Sequence, residues 1–285
     1  MRIILFGNNK QREKSRYVQH IVEHLQALKV DVLVEEEFRD FLLETSAISP
    51  SLPALEGRMA EADMAISVGG DGTFLSTAAK VGKWQIPILG INTGHLGFLA
   101  DVSPENIDES LESLVNQQFT VENRSVIAIE KEGEPLKTYP FALNEVAVMK
   151  HEHSSVIAVE TRVNGVLLNN FLADGLIVCT PTGSTGYSLS VGGPIIENSS
   201  DTFCISAVAP HALNVRPVIL RHDAEITLRV KSRTNKFLIS VDGRFEKHED
   251  DKIITLRKAD YVVRVVKIQH PSFFDTLRDR MLWGQ

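Results

Sequence analysis

The sequence predicts two domains: an N-terminal α/β domain with an open, Rossmann-like parallel sheet, and a C-terminal all-β domain of sandwich-like form. Over the first hundred residues, short apolar runs alternate with stretches whose apolar residues recur at helical spacing, which is the rhythm of βαβ units. After residue 119 the pattern changes to many short β-rich runs separated by turn signals. This change predicts domains at residues 1–120 and 121–268, and we expect residues 269–285 to form a closing helix that packs back on the body of the protein.

The α/β domain is predicted from four apolar runs that are short enough for buried strands. They are Ile3 to Phe6, Val30 to Val34, Met64 to Val68 and Ile86 to Ile91. Apolar residues recur at helical spacing between the first two runs, and Thr73 to Val81 has the pattern of a helix between the last two. Strands that alternate with helices in this way favour a parallel sheet covered by helices.

The all-β domain is predicted from short runs rich in β-branched and aromatic residues. Two dipeptides, Asn164-Gly165 and Asp242-Gly243, indicate hairpin turns, because Asn, Asp and Gly adopt positive φ more readily than other residues. The runs are Val126 to Ile129, Val156 to Val163, Ile226 to Val230, Phe237 to Val241 and Tyr261 to Val266. We therefore expect a sandwich-like second domain.

The composition is ordinary for a globular protein, with 43% hydrophobic and 24% charged residues among 285. The net charge of -7 and the lack of a basic cluster argue against a nucleic-acid or anionic membrane surface. No apolar stretch approaches the length of a membrane span, so we expect a cytoplasmic protein. Cys179 and Cys204 lack the spacing of a zinc site or a disulfide framework, and we expect both to be buried thiols.

The run Gly69-Gly70-Asp71-Gly72-Thr73 follows a predicted strand and precedes a predicted helix. Backbone N–H groups at such a helix N-terminus can bind phosphate, and glycines let the phosphate approach closely. Asp71 has two interpretations: it caps the helix, or it lies beside a reacting hydroxyl and acts as a general base. The run by itself predicts a phosphate-binding turn with a candidate base.

Three further groups of polar residues are candidates for a nucleotide site. Segment 180–194 combines Ser, Thr and Gly with Tyr187, which suits a base and a ribose, although a turn-rich loop explains it as well. Asn144-Glu145 interrupts an apolar strand, where the pair either hydrogen-bonds ribose hydroxyls or lies on an edge strand exposed to water. Asp174 has the same two interpretations. The sequence contains neither a P-loop nor a G-x-G-x-x-G motif, so its nucleotide site is of another kind.

Six motifs in this order resemble those of the NAD kinases over essentially the whole chain. The first motif alone is shared with lipid kinases and, more loosely, with phosphofructokinases, and the later motifs separate these families. The six are Gly69 to Thr73, Asn92 to Leu99, Asn144-Glu145, Asp174-Gly175 leading into Thr180 to Pro194, Pro210-His211 with Arg216-Pro217, and Val241 to Arg244. The resemblance implies an α/β domain followed by an all-β domain, in agreement with the change of pattern after residue 119.

The resemblance also implies a reaction. Asp71, as general base, takes the proton from the adenosine 2′-hydroxyl of NAD as that oxygen attacks the γ-phosphate of ATP. A divalent ion, usually Mg²⁺, bridges the phosphates, so no dedicated cluster of metal ligands is expected. The family further implies a homo-oligomer, usually a dimer or tetramer, in which a neighbouring subunit supplies part of the pocket. NAD and ATP are the expected partners, and neither a nucleic acid nor a membrane is expected.

The residues that bind the nucleotides are likewise implied by the resemblance. Asn144 and Glu145 are expected on the adenosine ribose, and Asp174 near the nicotinamide end. Leu172 and Gly186 are also expected to line the pocket, although an Arg or another polar residue often stands at the first position and Ala at the second. The other implied binding residues are Gly69, Gly70, Gly72, Thr73, Phe98, Thr182, Ser184, Thr185, Tyr187, Ser188, Leu189, Ser190, Ala209 and Arg244, with Ser184, Thr185 and Tyr187 around the adenine.

Two alternative functions stay open at this point. A lipid kinase of the diacylglycerol or sphingosine type would share the first motif and the domain layout. The acidic composition and the lack of an amphipathic basic helix count against docking at a membrane. A non-catalytic sensor of NADP(H) would bind the nucleotide without needing a base, and Asp71 within an intact loop counts against it.

Overall fold

The computed structural model of the chain describes residues 1–9, 12–94, 97–100, 102–136, 139–151, 156–268 and 273–281, without the side chains of residues 279 and 280. Two compact units make up the chain. The first unit comprises Met1–Asn123 and Val263–Gln285, and the second comprises Arg124–Val262. The chain therefore leaves the first unit once, forms the whole of the second, and then returns to the first.

The first unit is built on parallel strands connected by helices. Its elements up to residue 124 are β1 Arg2–Gly7, α1 Ser15–Ala27, β2 Asp31–Val34, α2 Glu36–Glu44, β3 Met64–Val68, α3 Asp71–Val81, β4 Ile88–Ile91, α4 Ile107–Val115 and β5 Thr120–Arg124. β1 pairs in parallel with β2 and β3, and β3 pairs in parallel with β4. β3 and β4 are buried along their whole length, which is why they appear in the sequence as continuous apolar runs. None of the helices in the described ranges is long and apolar enough to cross a membrane.

The second unit is a sandwich of two antiparallel sheets. Its elements are β6 Ile127–Lys131, β7 Glu134–Pro135, β8 Phe141–Ala142, β9 Glu145–Lys150, β10 Ile157–Val163, β11 Val166–Ala173, β12 Gly175–Cys179, α5 Tyr187–Ser190, β13 Thr202–Val208, β14 Val218–Arg221, β15 Ile226–Lys231, β16 Lys236–Val241, β17 Arg244–Glu249 and β18 Ile253–Lys258. One sheet has the order β11-β10-β15-β18-β6-β7 with β8 beside β6, and the other has the order β14-β13-β12-β9-β16-β17. A single buried cluster takes Ile129 and Val159 from the first sheet and Val148 and Ile239 from the second, as a sandwich requires.

The other face of the six-stranded sheet is covered by the segment that follows β12. Ile177 and Cys179 of β12 and Cys204 of β13 pack with Ile196. Because successive side chains of a strand point to opposite faces, β12 is buried on both sides. This packing fixes residues 180–196 against the sheet that carries β9. Both cysteines are free and buried, as expected.

Both predicted hairpin turns are confirmed. Asn164 and Gly165 join β10 to β11 with φ of 49° and 79°, and Asp242 and Gly243 join β16 to β17 with φ of 47° and 78°. Positive φ at both central residues defines the type I′ turn, whose twist matches that of the flanking strands. The second of these turns also carries a side chain of the candidate site, described below.

The last strand, β19 Val263–Lys267, returns to the first unit and gives its sheet the order β2-β1-β3-β4-β19-β5. Its parallel pairing with β4 sets Val265 opposite Ile88. The predicted all-β domain, 121–268, differs from the second unit in this strand, because a short run of valines does not reveal which sheet it joins. Of the predicted closing segment 269–285, α6 Phe273–Met281 belongs to the first unit, and residues 269–272 and 282–285 lie outside the described residues.

Candidate active site

The loop between β3 and α3 has the geometry of an anion site. Gly69 donates its N–H to Ile91 O at 2.9 Å, and a Cβ on Gly69 would lie 2.3 Å from Thr73 Oγ1, so no larger residue fits. Gly70 is the N-cap residue and offers no side chain that could cap the helix. A helix start without a capping side chain leaves N–H groups of its first turn to other partners, and the helix dipole favours an anion there.

The Asp71 carboxylate does not cap α3 but holds a neighbouring loop. Asp71 Oδ2 accepts the N–H of Phe98 at 2.8 Å, and Oδ1 accepts those of Leu99 at 3.0 Å and Ala100 at 3.1 Å. A Cβ on Gly97 would lie 2.0 Å from Asp71 Oδ1, which explains the glycine at that position. An ionised carboxylate has about two lone-pair sites on each oxygen, so Oδ1 is filled while Oδ2 keeps one. Oδ2 is therefore the atom that can still accept a hydroxyl hydrogen or a proton.

A polar cleft of about 460 Å³ lies at the N-terminal end of α3, within the first unit. Gly70, Gly72 and Thr73 line it, as expected of residues that bind phosphate, and Asp71 is not among the lining residues. The acidic side chain of the loop faces residues 98–100, whose N–H groups it accepts. Backbone N–H groups, hydroxyls and positive charge therefore face the cleft without repulsion from that carboxylate.

The second predicted motif, Asn92 to Leu99, lies partly within the same unit's described residues. Asn92 Oδ1 accepts the Gly94 N–H at 2.7 Å, and both residues line the cleft. Phe98 is half-buried and meets the Asp71 carboxylate through its backbone. His95 and Leu96 lie outside the described residues. The motif thus contributes to the cleft at one end and to the Asp71 contact at the other.

In the second unit, Asn144 and Glu145 stand at the start of β9 and are fixed by the turn residue Asp242. Asp242 Oδ1 accepts the N–H of Asn144 at 2.8 Å and of Glu145 at 3.1 Å, while Oδ2 accepts that of Leu143 at 2.8 Å. Burial raises the pKa of Asp242, and the three N–H donors and the Arg244 charge oppose that rise. Asp242 was absent from the residues predicted to bind, because an Asp-Gly dipeptide in a sequence indicates only a turn.

The side chains of Asn144 and Glu145 present buried acceptors without donors. Asn144 Oδ1 and Glu145 Oε2 have no hydrogen-bond partner among the described residues. Burial, followed by the nearby charge of Asp242, raises the pKa of Glu145 to about 7, and the N–H of Tyr187 acts in the opposite direction. An edge-strand position does not explain the pair, because β9 lies between β12 and β16. Buried acceptors without donors are costly, so the pair suits a ligand that brings hydroxyl groups.

The hydroxyl-rich segment after β12 packs against this pair. The Thr180 N–H donates to Asn144 O at 2.9 Å. A Cβ on Gly183 would lie 2.1 Å from the same oxygen, so only glycine permits this approach. Gly186 faces the second acceptor, since a Cβ there would lie 3.2 Å from Glu145 Oε2. These contacts make the segment a wall of the candidate pocket rather than a solvated loop.

Some of the predicted binding residues of this segment turn their side chains inward. Ser184 Oγ accepts the Ile196 N–H at 3.0 Å and donates to Ile196 O at 3.3 Å, and Ser188 Oγ lies 3.3 Å from Ser206 Oγ. Both hydroxyls hold the loop, so only the backbone of these two residues is left to contact a nucleotide. Thr182 is buried as well, whereas Thr185, Gly186, Tyr187, Leu189 and Ser190 are half-buried or exposed.

Leu172, Asp174 and Ala209 form a separate group at the ends of β11, β12 and β13. Asp174 Oδ1 pairs with Lys150 Nζ at 2.7 Å. Leu172 O accepts the His211 N–H at 2.8 Å, and the Leu172 side chain is 49% exposed. Ala209 has a φ of 45°, which is unusual for a residue with a Cβ. The structure therefore brings these three predicted residues together, with the apolar side chain of Leu172 exposed beside Asp174 and Ala209.

Arg244 follows the Asp242 turn and lies over an aromatic ring. Its guanidinium carbon is 4.9 Å from the centre of the Tyr139 ring, and its Nη1 is buried without a hydrogen-bond partner among the described residues. A buried donor without an acceptor suits an anionic or carbonyl oxygen of a ligand. In the described ranges, no group of three or more His, Cys, Asp or Glu side chains is arranged to hold a metal ion.

Comparison with known proteins assigns both units. The family model described as the ATP-NAD kinase N-terminal domain matches residues 3–119, and the ATP-NAD kinase C-terminal domain matches residues 143–268. The NAD kinase of Bacteroides fragilis is 47% identical over 285 residues, covering 100% of this chain and 98% of that protein. The NAD kinase of Flavobacterium johnsoniae is 40% identical over 293 residues, covering 100% and 99%.

Two solved structures have the same fold as this chain, and the second of them is also the more similar in sequence. Yeast NADH kinase complexed with NADH has a TM-score of 0.87 at 21% identity, covering 100% of this chain and 88% of that one. An NAD kinase from Archaeoglobus fulgidus in complex with ATP has a TM-score of 0.76 at 29% identity, covering 100% and 98%. These matches confirm the predicted fold class and give no support to a lipid kinase or a nucleotide sensor. Two family models match in the expected order, and the chain is 47% identical to an NAD kinase over its full length. The chain therefore belongs to the NAD kinase family.

Proposed function

We propose that this chain transfers the γ-phosphate of ATP to the 2′-hydroxyl of the adenosine ribose of NAD, which gives NADP. The observation that carries the proposal is the pair of adjacent, buried acceptors without donors, Asn144 Oδ1 and Glu145 Oε2. The names of the relatives support the same reaction, since the similar proteins are NAD kinases and the solved ones are complexed with NADH or with ATP.

The second unit supplies the groups that would bind NAD. The two hydroxyls of a ribose are donors that match the free oxygens of Asn144 and Glu145. Tyr187 is partly exposed next to this pair and offers a ring for stacking against the adenine. Each contact that satisfies a buried acceptor stabilises the complex, because no described residue of the free protein donates to that acceptor.

The first unit supplies the groups that would bind the donor. The glycines of the 69–73 loop and the start of α3 suit the phosphates of ATP. With no cluster of carboxylates and histidines to cage a metal in the described ranges, a divalent ion such as Mg²⁺ would be held chiefly by the phosphates, with the Thr73 hydroxyl as an oxygen ligand from the cleft. When bound, that ion supplies neutralisation of the phosphate charge.

Asp71 is the proposed general base. Its Oδ2 keeps one lone-pair site after accepting the Phe98 N–H, whereas Oδ1 is filled by two N–H groups. We expect the 2′-hydroxyl to donate to Oδ2 and to lose its proton there as the oxygen attacks phosphorus. The three N–H contacts hold the carboxylate in one orientation, which keeps Oδ2 available throughout the reaction.

The test is an assay of the purified protein with Mg²⁺, ATP and NAD. NADP is detected with an NADP-specific dehydrogenase, which does not respond to NAD, and ADP is measured in parallel. We expect equal amounts of NADP and ADP. ADP without NADP would mean that the protein hydrolyses ATP and does not phosphorylate NAD. If no NADP forms with ATP or with any other phosphate donor, the proposal is overturned.

We also propose that the chain works in the cytoplasm as a dimer or tetramer. The membership of the chain in the NAD kinase family supports both proposals. Light scattering behind a sizing column measures the mass in solution directly. We expect two or four times the mass of one chain at micromolar concentration, and the mass of one chain alone would contradict the proposed self-association.

A further inference from the structure

Two lysines line the cleft of the first unit, and their surroundings differ. Lys80 pairs with Glu35, and its Nζ lies 3.6 Å from Glu37 Oε2. The positive charge of Lys80 is thus already matched by carboxylates. In the part of the chain that the structure describes, no carboxylate oxygen lies within 4.0 Å of Lys14 Nζ, so Lys14 forms no ion pair there. Of these two lysines, Lys14 is therefore the one whose charge is available to a ligand.

Lys14 reaches the cleft from the turn before α1. It ends the short helical turn Arg12–Lys14 and is half-buried. Its Nζ lies 3.0 Å from the position that a Cβ on Gly94 would occupy, so it lies close against the chain that follows β4. A partly desolvated ammonium group without a counter-ion is unfavourable, and an anion in the cleft would remove that cost.

Four charged side chains line the cleft, Lys14, Lys80, Glu35 and Glu37, and their formal charges sum to zero. α3 contains 11 residues, and its N-terminal end faces the cleft through Gly70 and Gly72. Glu35 and Glu37 are engaged by Lys80, and the Asp71 carboxylate is turned towards the N–H groups that it holds. At the end of the cleft formed by the start of α3 and Lys14, a helix N-terminus and an ammonium group favour an anion, while the carboxylates of Glu35 and Glu37 lie at Lys80.

We propose that Lys14 binds the phosphates of the donor nucleotide, together with backbone N–H groups at the start of α3. The inference rests on the proposed kinase function and deepens it by naming a side chain of the donor site. A lysine ammonium binds phosphate as a point charge with three donors. An arginine keeps the positive charge but has a planar guanidinium group instead of the compact ammonium. Lys14 contributes affinity for the donor and none for NAD.

The experiment compares three variants of the full-length protein: Lys14→Met, Lys14→Arg and the double variant Lys80→Met/Glu35→Gln. Methionine keeps much of the aliphatic stem of a lysine while removing its charge. For each variant, KM is measured for ATP and for NAD, and the Kd of ATP is measured by calorimetry without NAD. Circular dichroism and thermal unfolding report whether each variant is folded.

We expect Lys14→Met to raise the KM and Kd of ATP by roughly 10- to 100-fold, the effect of losing a charge-assisted contact, with less than about a threefold change in the KM of NAD. Lys14→Arg should recover most of the loss. The double variant Lys80→Met/Glu35→Gln removes both charges of that pair, so it leaves the net charge of the cleft unchanged and should raise the KM of ATP by far less than Lys14→Met.

The inference is wrong if Lys14→Met binds ATP as the wild-type protein does, or if Lys80→Met/Glu35→Gln weakens ATP binding to the same extent. A parallel rise in the KM of NAD would also contradict it. Failure of the proposed function has a different signature. In that case the wild-type protein makes no NADP, while the Kd of ATP still shows whether Lys14 contributes to binding.

Discussion

Asp71 in the first unit and Asp242 in the second make the same set of contacts with their carboxylates. Each accepts three consecutive backbone N–H groups, two on Oδ1 and one on Oδ2. Their surroundings differ. Asp71 stands in the first turn of a helix whose neighbouring residues line a polar cleft, whereas Asp242 stands in a hairpin turn beside another carboxyl group, Glu145. The hydrogen bonds alone show only that both carboxylates organise a loop, and the setting distinguishes the one proposed to react.

The largest effect that separates the two aspartates is expected for Asp71→Asn. The amide lacks the basicity of a carboxylate, so we expect kcat to fall by about 10²- to 10⁴-fold, the usual contribution of a general base. The amide nitrogen leaves at least one N–H group at 98–100 unpaired, as in Asp242→Asn, so the loss of stability is measured as well. ATP binding should persist, because the proposed donor contacts come from the loop backbone and Lys14 and not from the Asp71 carboxylate. Single-turnover kinetics with saturating ATP and NAD measure the chemical step. A kcat near that of the wild-type protein would remove the role of Asp71 as base.

Asp242→Asn should act on stability and on NAD binding. The amide nitrogen cannot accept an N–H, so at least one of the donors at 143–145 is left unpaired. We expect a loss of about 3 to 4 kcal/mol in the free energy of unfolding, measured with urea, and a higher KM for NAD. Asp251→Asn is the matched control. Asp251 also has a positive φ, of 66°, but its carboxylate makes only a long contact, 3.9 Å from Oδ1 to Arg229 Nε. The free energy of unfolding of Asp251→Asn should stay within about 0.5 kcal/mol of the wild-type value. An equal loss of stability in both variants would contradict the role given to Asp242.

The pKa of Glu145 predicts a pH effect of intermediate size. Its folded value of about 7 lies above the ordinary 4.5, because of burial and then the charge of Asp242. The folded chain therefore binds the proton more tightly than the unfolded chain does. The free energy of unfolding should fall as pH rises from about 4.5 to about 7, by on the order of 2 to 3 kcal/mol.

Glu145→Gln removes the titrating group and should lose this part of the pH dependence, as urea unfolding at several pH values would show. Asp242→Asn, which removes the neighbouring charge, should move the decline to lower pH. Identical pH profiles for the wild-type protein and Glu145→Gln would mean that Glu145 is not the group responsible.

The smallest effect is expected for Gly186→Ala. The φ of Gly186 is -96°, outside the left-handed region that favours glycine, but the new Cβ would lie 3.2 Å from Glu145 Oε2. The carboxylate must then move by a few tenths of an ångström. We expect the KM of NAD to rise by less than about threefold, which corresponds to roughly 0.6 kcal/mol. A tenfold rise would show that the pocket depends on the absence of this methyl group.

The sequence predicts the local features of this protein well and those made by distant contacts poorly. Strands β1 to β4 and the turn at Asn164-Gly165 follow from apolar runs and positive-φ residues, and both are confirmed. The helix after the glycine-rich loop begins at Asp71, two residues before its predicted start at Thr73. The sheet that receives Val263–Lys267 depends on a partner far away in the sequence, so its assignment to the all-β domain differs from the structure.

The candidate site likewise has features that the sequence predicts and features that depend on distant contacts. The motifs identify Asn144, Glu145 and the 69–73 loop. Among the described residues, the first two carry buried acceptors without partners, and the loop borders a polar cleft. The motifs give no sign that Ser184 and Ser188 turn inward, since a hydroxyl in a sequence carries no direction. The role of Asp242 was missed because its partners lie 97 to 99 residues earlier in the chain.

The most direct test of the difference between the two aspartates is the kcat of Asp71→Asn and of Asp242→Asn, measured at saturating ATP and NAD. Saturation removes effects on binding, so kcat reports the chemical step in the bound complex. We predict that Asp242→Asn keeps kcat within about tenfold of the wild-type value and that Asp71→Asn loses at least about a hundredfold. Equal losses in the two variants would contradict the assignment of Asp71 as the base and would leave both aspartates as organisers of their loops.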